Sequence, residues 1–345
     1  MTSVKDIDVD EPAGEATLGV GRFTFTDAYS VFDWGQMPDT IPGKGQSLCT
    51  MGAFNFERLE AEGIATHYRG VLPGDQVEPV GLVDCDDPPR VMSFDLANVP
   101  ELPPTDDGYD YDSFHVAAGS TYVVPLEVIF RNRVPIGSSL RRRREPTEVG
   151  LDIDTWPDEP VELDEPIIEF STKFERSDRY LDRDEADEIA GLAELDAIDT
   201  LARSVNRVIT DRAEETGFRH DDGKIEVVYH AGELLVADVV GTFDENRFTF
   251  NNQQVSKEVV RQFYRRYDPD WVEAVESAKT AAKAAGEVDW KGRCSADPNP
   301  LPSDVVEIVA DLYASGAEQY TALGLFEVDE LTTVIERLAT RLEMR

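Results

Sequence analysis

The stretch "KIEVVYHAGELLVAD", Lys224 to Asp238, contains two apolar runs, "KIEVVY" and "ELLVAD", separated by "HAG". This pattern predicts a β-hairpin with Gly232 in the turn. A hairpin brings its outer ends together, so Glu226 and Asp238, twelve residues apart, converge at one end of the sheet. Lys224, two residues before Glu226, shares its face of the strand. Two carboxylates that leave the remaining positions to phosphate oxygens suit Mg²⁺, which seldom uses an all-protein cage. The same acids are also what ordinary strand ends of a very acidic protein contain, and spacing alone does not separate the two readings.

Outward from the hairpin, the chain has 345 residues and is 41% hydrophobic, enough for a large core and for two lobes. Its formal charge is -37, from 70 acidic against 33 basic residues spread along the sequence. Only eight of the basic residues are lysines. Such a surface suits a salt-rich cytoplasm, as in a halophilic archaeon, where screening weakens like-charge repulsion. It speaks against nucleic acid as a partner, because the only basic run is Arg141 to Arg144, read as a local anion site or a solvated face. Cys49, Cys85 and Cys294 lie far apart, which indicates neither a zinc site nor a disulfide framework. No long apolar run suggests a membrane span or a signal sequence.

Residues 1–16 read as a disordered acidic lead. From Thr17 the order predicted is short strands, a helix ending at Gly63, the strand run "STYVVPLEVIFRN", long helices from Asp182, the hairpin, and C-terminal helices. Two acidic, Pro-rich stretches, "PELPPTDDGYDYD" and "DIDTWPDEPVELDEP", read as surface connectors. The fold class expected is α+β, with an N-terminal lobe over 17–125 and a larger lobe over 126–345. The apolar positions of "LTTVIERLATRLEMR" predict a C-terminal helix packed on the body or on a second subunit, so a homo-oligomer stays open. His67, His115, His220 and His230 have no metal-ligand spacing, and neither a GxSxG elbow nor a complete Walker loop is present.

A resemblance runs through the chain from about Leu18 to Phe326. The segments "IPGKGQSLCTMGAFNFERLEAEGIATH", "VPLEVIFRNRVPIGSS", "IIEFSTKFERSD", "KIEVVYHAGELLVAD", "DVVGTFDENRF", "SKEVVRQFY" and "PNPLPSDVVEIVADLYASGAEQYTAL" resemble, in order, the signatures of the phosphoribosylaminoimidazole-succinocarboxamide synthase (SAICAR synthetase) family. The resemblance implies a two-lobed fold similar to the protein-kinase or ATP-grasp nucleotide-binding arrangement, with ATP between the lobes and Mg²⁺ on its phosphates. The implied reaction is ATP-dependent joining of L-aspartate to carboxyaminoimidazole ribotide, giving SAICAR, ADP and phosphate in purine biosynthesis in the cytoplasm. A non-catalytic purine-nucleotide sensor and a small-molecule phosphotransferase are the alternatives.

The resemblance also implies roles. Glu226 and Asp238 become metal ligands, Lys224 and Arg247 catalytic cations, and Asp222 a group that orients Lys224 or the metal. Asp244 and Arg247 fall at the ribotide, a carboxylate or phosphate suiting the arginine fork. Glu127 is expected beside the inter-lobe hinge at the adenine, and Arg131 and Ser138 at the ribotide phosphate. Ser30, Asp33, Lys44, Lys173 and Lys257 match substrate-side positions. Gly19, Gly21 and Arg22 of "LGVGRFTF" stand where an ATP-phosphate strand is expected, with Arg22 near the usual lysine. Ala28, Asn55 and Val239 depart from the family pattern.

Overall fold

The computed structural model describes residues 4–106, 108–287 and 289–343. In chain order, β1 (Lys5–Glu11), β2 (Gly19–Phe25), helix α1 (Lys44–Ala61), β3 (Tyr68–Val71) and β4 (Val91–Leu96) come first. The strands form an antiparallel sheet in the order β1-β2-β4-β3. On β2, residues 19, 21, 23 and 25 alternate inward as a half-buried strand should. Phe23 stacks on Phe94 of β4 at 4.0 Å between ring centroids. Burying one such ring contributes about 2 kcal/mol. Helix α1 ends beside Gly63, whose φ of 77° reverses the chain at no steric penalty.

The acidic N-terminal lead corrects an expectation. Residues 1–3 lie outside the described residues, but Lys5–Glu11 are paired along β2, from Lys5↔Phe25 to Glu11↔Val20. Six of the seven β1 side chains are exposed, so the strand reads as an unstructured acidic tail by composition. Its order comes from the ladder it completes, a contribution that sequence apolarity does not carry.

Next come α2 (Tyr111–Ala118), β5 (Thr121–Val123), β6 (Leu126–Val134), α3 (Leu140–Arg143) and β7 (Val161–Thr172). The Asp110 side chain caps α2 by accepting from the Ser113 amide at 2.9 Å. After α4 (Arg183–Ala190) and α5 (Leu195–Glu215) come β8 (Phe218–His230), β9 (Glu233–Ala237), β10 (Asn246–Phe250) and β11 (Gln253–Gln254). These strands build a second antiparallel sheet, β11-β10-β8-β6-β7, with β5 and β9 also on β8. The sheet therefore takes in β5, ahead of residue 126. The expected hairpin is β8–β9, with Glu226 opposite Ala237 and Gly232 at φ 99° in its turn.

Helices α6 (Glu258–Tyr267), α7 (Pro269–Ala285), α8 (Ser303–Thr321) and α9 (Leu331–Glu343) close the chain. Val334 and Leu338 of α9 are buried within the chain itself, α9 packing on α8. One hydrophobic core spans both sheets. The sheets are stitched where His67 donates its amide to Val236 at 3.0 Å and Asp95 donates to His67 at 2.6 Å. No helix among the described residues is long and apolar enough to cross a membrane.

Candidate active site

Strand alternation decides the site. Antiparallel partners point to the same side, so Arg131 lies beside Asp222, Ile129 beside Lys224, Ser171 beside Glu127 and Arg247 beside Asp222. One face of the second sheet therefore carries a row of acids and cations, while Val128, Phe130 and Ile225 of the other face enter the core. Over the polar face opens a cleft of about 830 Å³, bordered also by Asp33, Asp178, Asp244 and Lys257 and by Arg261, Arg265 and Lys279 of α6 and α7.

Lys224 donates to Glu127 at 2.6 Å and lies 3.3 Å from Glu245. Burial alone would lower its pKa, but Glu245, Glu127 and Glu226 outweigh it and hold the ammonium well above its usual value. Asp222 is buried and gripped by Arg247 through two hydrogen bonds and by Arg131 at 3.1 Å. Burial would raise its carboxyl; the two arginines prevail and keep it below the ordinary range. Arg131 is only 3% exposed, its guanidinium divided among Glu169, Asp222 and Tyr180.

At the end of the row, Glu226 is paired with Lys173, and Asp238, one residue past β9, is paired with Lys5 of β1. Burial and the neighbouring Asp238 push the Glu226 carboxyl up, while Lys5 and Lys173 overcome burial to hold Asp238 down. Two buried carboxylates and two lysines thus form one compact charged cluster at the end of the row. Asp238 also has φ 65°, a left-handed conformation that costs a non-glycine residue about 1–3 kcal/mol. The His67 ring lies 3.2 Å from the Asp238 carbonyl, packed among Phe23, Phe56 and Phe94. Burial drives the His67 pKa down to about 4, so the ring is neutral and its Nε2–H is the donor in that contact.

The structure redistributes several expected roles. Gly19, Gly21 and Arg22 do not border the cleft. A Cβ on Gly21 would meet the Phe94 ring at 2.6 Å, and one on Gly19 the Glu11 carbonyl oxygen at 2.1 Å, so packing accounts for both glycines. Arg22 points outward to Asp10 at 2.7 Å. The cation that reaches the acid pair from this sheet is Lys5, in the segment read as a tail. Glu127 lines the cleft and accepts from Lys224 in the polar row. Lys44 is fully buried and meets Asp244, so it does not touch the cleft. Ser138 is 2% exposed, its hydroxyl accepting from the Leu140 amide at 3.3 Å, while Gly137 and Ser139 line the cleft.

Asp33, Asp244, Arg247 and Lys257 do border the cleft, Ser30 is half-buried away from it, and Lys173 reaches Glu226. Arg141 and Arg143 of the basic run are held by the Val134, Pro157 and Glu159 carbonyls and by Glu169, leaving Arg142 at the cleft. Asp178, Arg261 and Lys279 also line it without having been singled out by sequence; the scarcity of lysine was the one signal that could have raised Lys5 and Lys279.

Fold and site together define an α+β protein whose antiparallel sheet floors a charged cleft, with a paired-acid hairpin end beside it. Comparison with known proteins narrows that class. The family described as SAICAR synthetase matches residues 17–279. A protein of Archaeoglobus fulgidus named putative phosphoribosylaminoimidazole-succinocarboxamide synthase is 40% identical over 99% of this chain and 100% of its own. A Thermoplasma acidophilum phosphoribosylaminoimidazole-succinocarboxamide synthase is 32% identical over 87% of this chain and 92% of its own. The SAICAR-synthase of Saccharomyces cerevisiae, solved with SAICAR, shares the fold with a TM-score of 0.59 at 22% identity, covering 93% of each chain. A SAICAR synthetase solved with ADP gives 0.54 at 22% identity, covering 83% of this chain and 97% of its own. The chain belongs to the SAICAR synthetase family, a family of ligases.

Proposed function

We propose that this protein is the ATP-dependent ligase that joins L-aspartate to carboxyaminoimidazole ribotide, releasing SAICAR, ADP and phosphate in the cytoplasm. The observation that carries this reading is the polar row ending in the acid pair: Asp222, Lys224 and Glu226 on one strand face, with Asp238 beside Glu226. The reaction transfers a phosphoryl group to the ribotide carboxylate and then expels phosphate when the amine of aspartate attacks. Both steps develop negative charge on oxygen, which fixed cations in a cleft stabilise by several kcal/mol.

The donor set fits Mg²⁺. Two carboxylates, Glu226 and Asp238, meet at the end of the polar row and would leave the remaining positions of the ion to phosphate oxygens and water. When bound there, Mg²⁺ neutralises charge on the ATP phosphates. Lys5 and Lys173, which lie on the two acids, would also stand beside phosphates held there and are assigned to them. The nucleobase is assigned to the small apolar cluster of Ala97, Val228, Leu235 and Ala237, with Leu18 and Val123 against it, which is separate from the main core and runs up to Asp238. Glu127 orients Lys224, and Asp222 orients Arg247 and Arg131 toward the ribotide.

The test is ADP release with Mg²⁺, ATP and the ribotide in high salt, with and without L-aspartate, following SAICAR by mass. Aspartate-dependent ADP release with equimolar SAICAR is expected; release that ignores aspartate would indicate a phosphotransferase, and ATP binding without turnover a sensor. Arg247→Ala is expected to raise the KM for the ribotide about 10-fold or more, through loss of a charge-assisted grip. The KM for ATP should change far less, and equal rises would assign Arg247 to the ATP phosphates instead.

A further inference from the structure

Asp244 borders the cleft, yet its carboxylate is built into the protein. Lys44 Nζ donates to Oδ2 at 2.8 Å and the Tyr313 hydroxyl donates to Oδ1 at 2.7 Å. Lys44 has no exposed surface, Tyr313 is 1% exposed, and Lys44 also donates to the Ala28 carbonyl at 3.3 Å. Burial pushes the Lys44 ammonium down and Asp244 opposes it, while burial of Asp244 is outweighed by Lys44 and Lys257, which hold its carboxyl at about 2. An ion pair this buried is poor evidence for a stability role, because desolvation offsets most of the attraction. Its geometry instead fixes one carboxylate: both oxygens are held by buried donors, and the side chain keeps only 3% of its surface exposed where Asp244 borders the cleft.

We propose that Lys44 of α1 and Tyr313 of α8 are positioning residues that act through Asp244, aiming its carboxylate at an N–H or O–H donor of the ribotide. The inference rests on the ligase reading above and extends it to Tyr313, which lies beyond the span matched by the family, residues 17–279. It also gives Lys44, in the "IPGKG" segment, a role in a chain poor in lysine although it is sealed from the cleft.

The test is calorimetric titration of the full-length protein with carboxyaminoimidazole ribotide and, separately, with Mg-ADP. Tyr313→Phe keeps the ring and removes one hydrogen bond; ribotide Kd is expected to rise about 5- to 10-fold with Mg-ADP Kd unchanged. Lys44→Met removes the cation. The charges then facing Asp244 are Lys257 ahead of α6 and Glu245 beside it, with Tyr313 on α8 and Arg261 on α6 next to that ring.

Without Lys44 the Asp244 carboxyl rises, so ribotide affinity in Lys44→Met should fall as pH is lowered from 7 to 5. In the wild type Asp244 stays ionised through that window, so the fall is read as the Kd of the variant relative to that of the wild type at each pH. A structural role would lower the melting temperature and leave both Kd values and their pH dependence unchanged. Wild-type binding of the ribotide with unaltered variants overturns the inference alone; equal weakening of ribotide and Mg-ADP does the same. Failure of the wild type to bind the ribotide overturns the ligase reading, and the inference with it.

Discussion

Asp238→Asn is expected to reduce ATP-dependent turnover by about 1,000-fold or more, on the order of 4 kcal/mol of transition-state stabilisation. The substitution keeps the shape of the side chain and removes its charge, so the acid pair that Lys5 and Lys173 balance becomes a single carboxylate. In the metal site proposed above a divalent cation would rest on these two carboxylates, so the loss of one charge is expected to be severe. The fold should survive. Asp238 has φ 65°, and asparagine tolerates the left-handed region better than most residues, so no new backbone strain arises. Its carbonyl remains available to His67 at 3.2 Å. Steady-state kinetics beside a thermal melt decide the matter: unchanged turnover would remove Asp238 from the metal site, whereas a lost melt would say that the residue is structural.

Lys5→Met is the second large effect, about 100-fold in kcat/KM for ATP. The Lys5 ammonium is 4.4 Å from the Phe23 ring centroid, on Asp238, and only 6% of the residue is exposed. Such a cation is held in place by the ring and the β1 ladder, and it lies where the phosphates meet the metal in the reading given above. Methionine preserves the apolar stem and removes the charge. The competing account makes Lys5 only a plug on Asp238; its removal would then free the acid, and the KM for Mg-ATP would fall. The two accounts differ in sign, so ATP kinetics at several Mg²⁺ concentrations separate them.

Much of the geometry of the candidate site is legible in the sequence. The period-two alternation of "KIEVVY" and "ELLVAD", with glycine between them, predicts the hairpin and the meeting of Glu226 with Asp238, because both follow from local backbone geometry. Asp222, Lys224 and Arg247 were legible for the same reason: strand parity fixes the face, and β8 and β10 pair directly. What failed was long-range. Lys5 is 233 residues from Asp238, and nothing in "VKDIDVDE" signals that its edge strand is paired. Gly19 and Gly21 stand where the resemblance implies an ATP-phosphate strand, and only packing shows that a Cβ there would meet the Glu11 carbonyl and the Phe94 ring. Lys44 was read as a substrate contact; only packing reveals that a cation 200 residues from Asp244 is sealed behind it.

The sequence by itself determined the α+β class, the hairpin, the acid pair and the family, because these rest on local periodicity and on motifs that survive without knowledge of packing. The tertiary structure decided which cations meet which acids. Ion pairing depends on distance in space and on burial, and neither is carried by position along the chain: β1 reaches the acid pair by completing a sheet, and α8 reaches Asp244 by packing on α1.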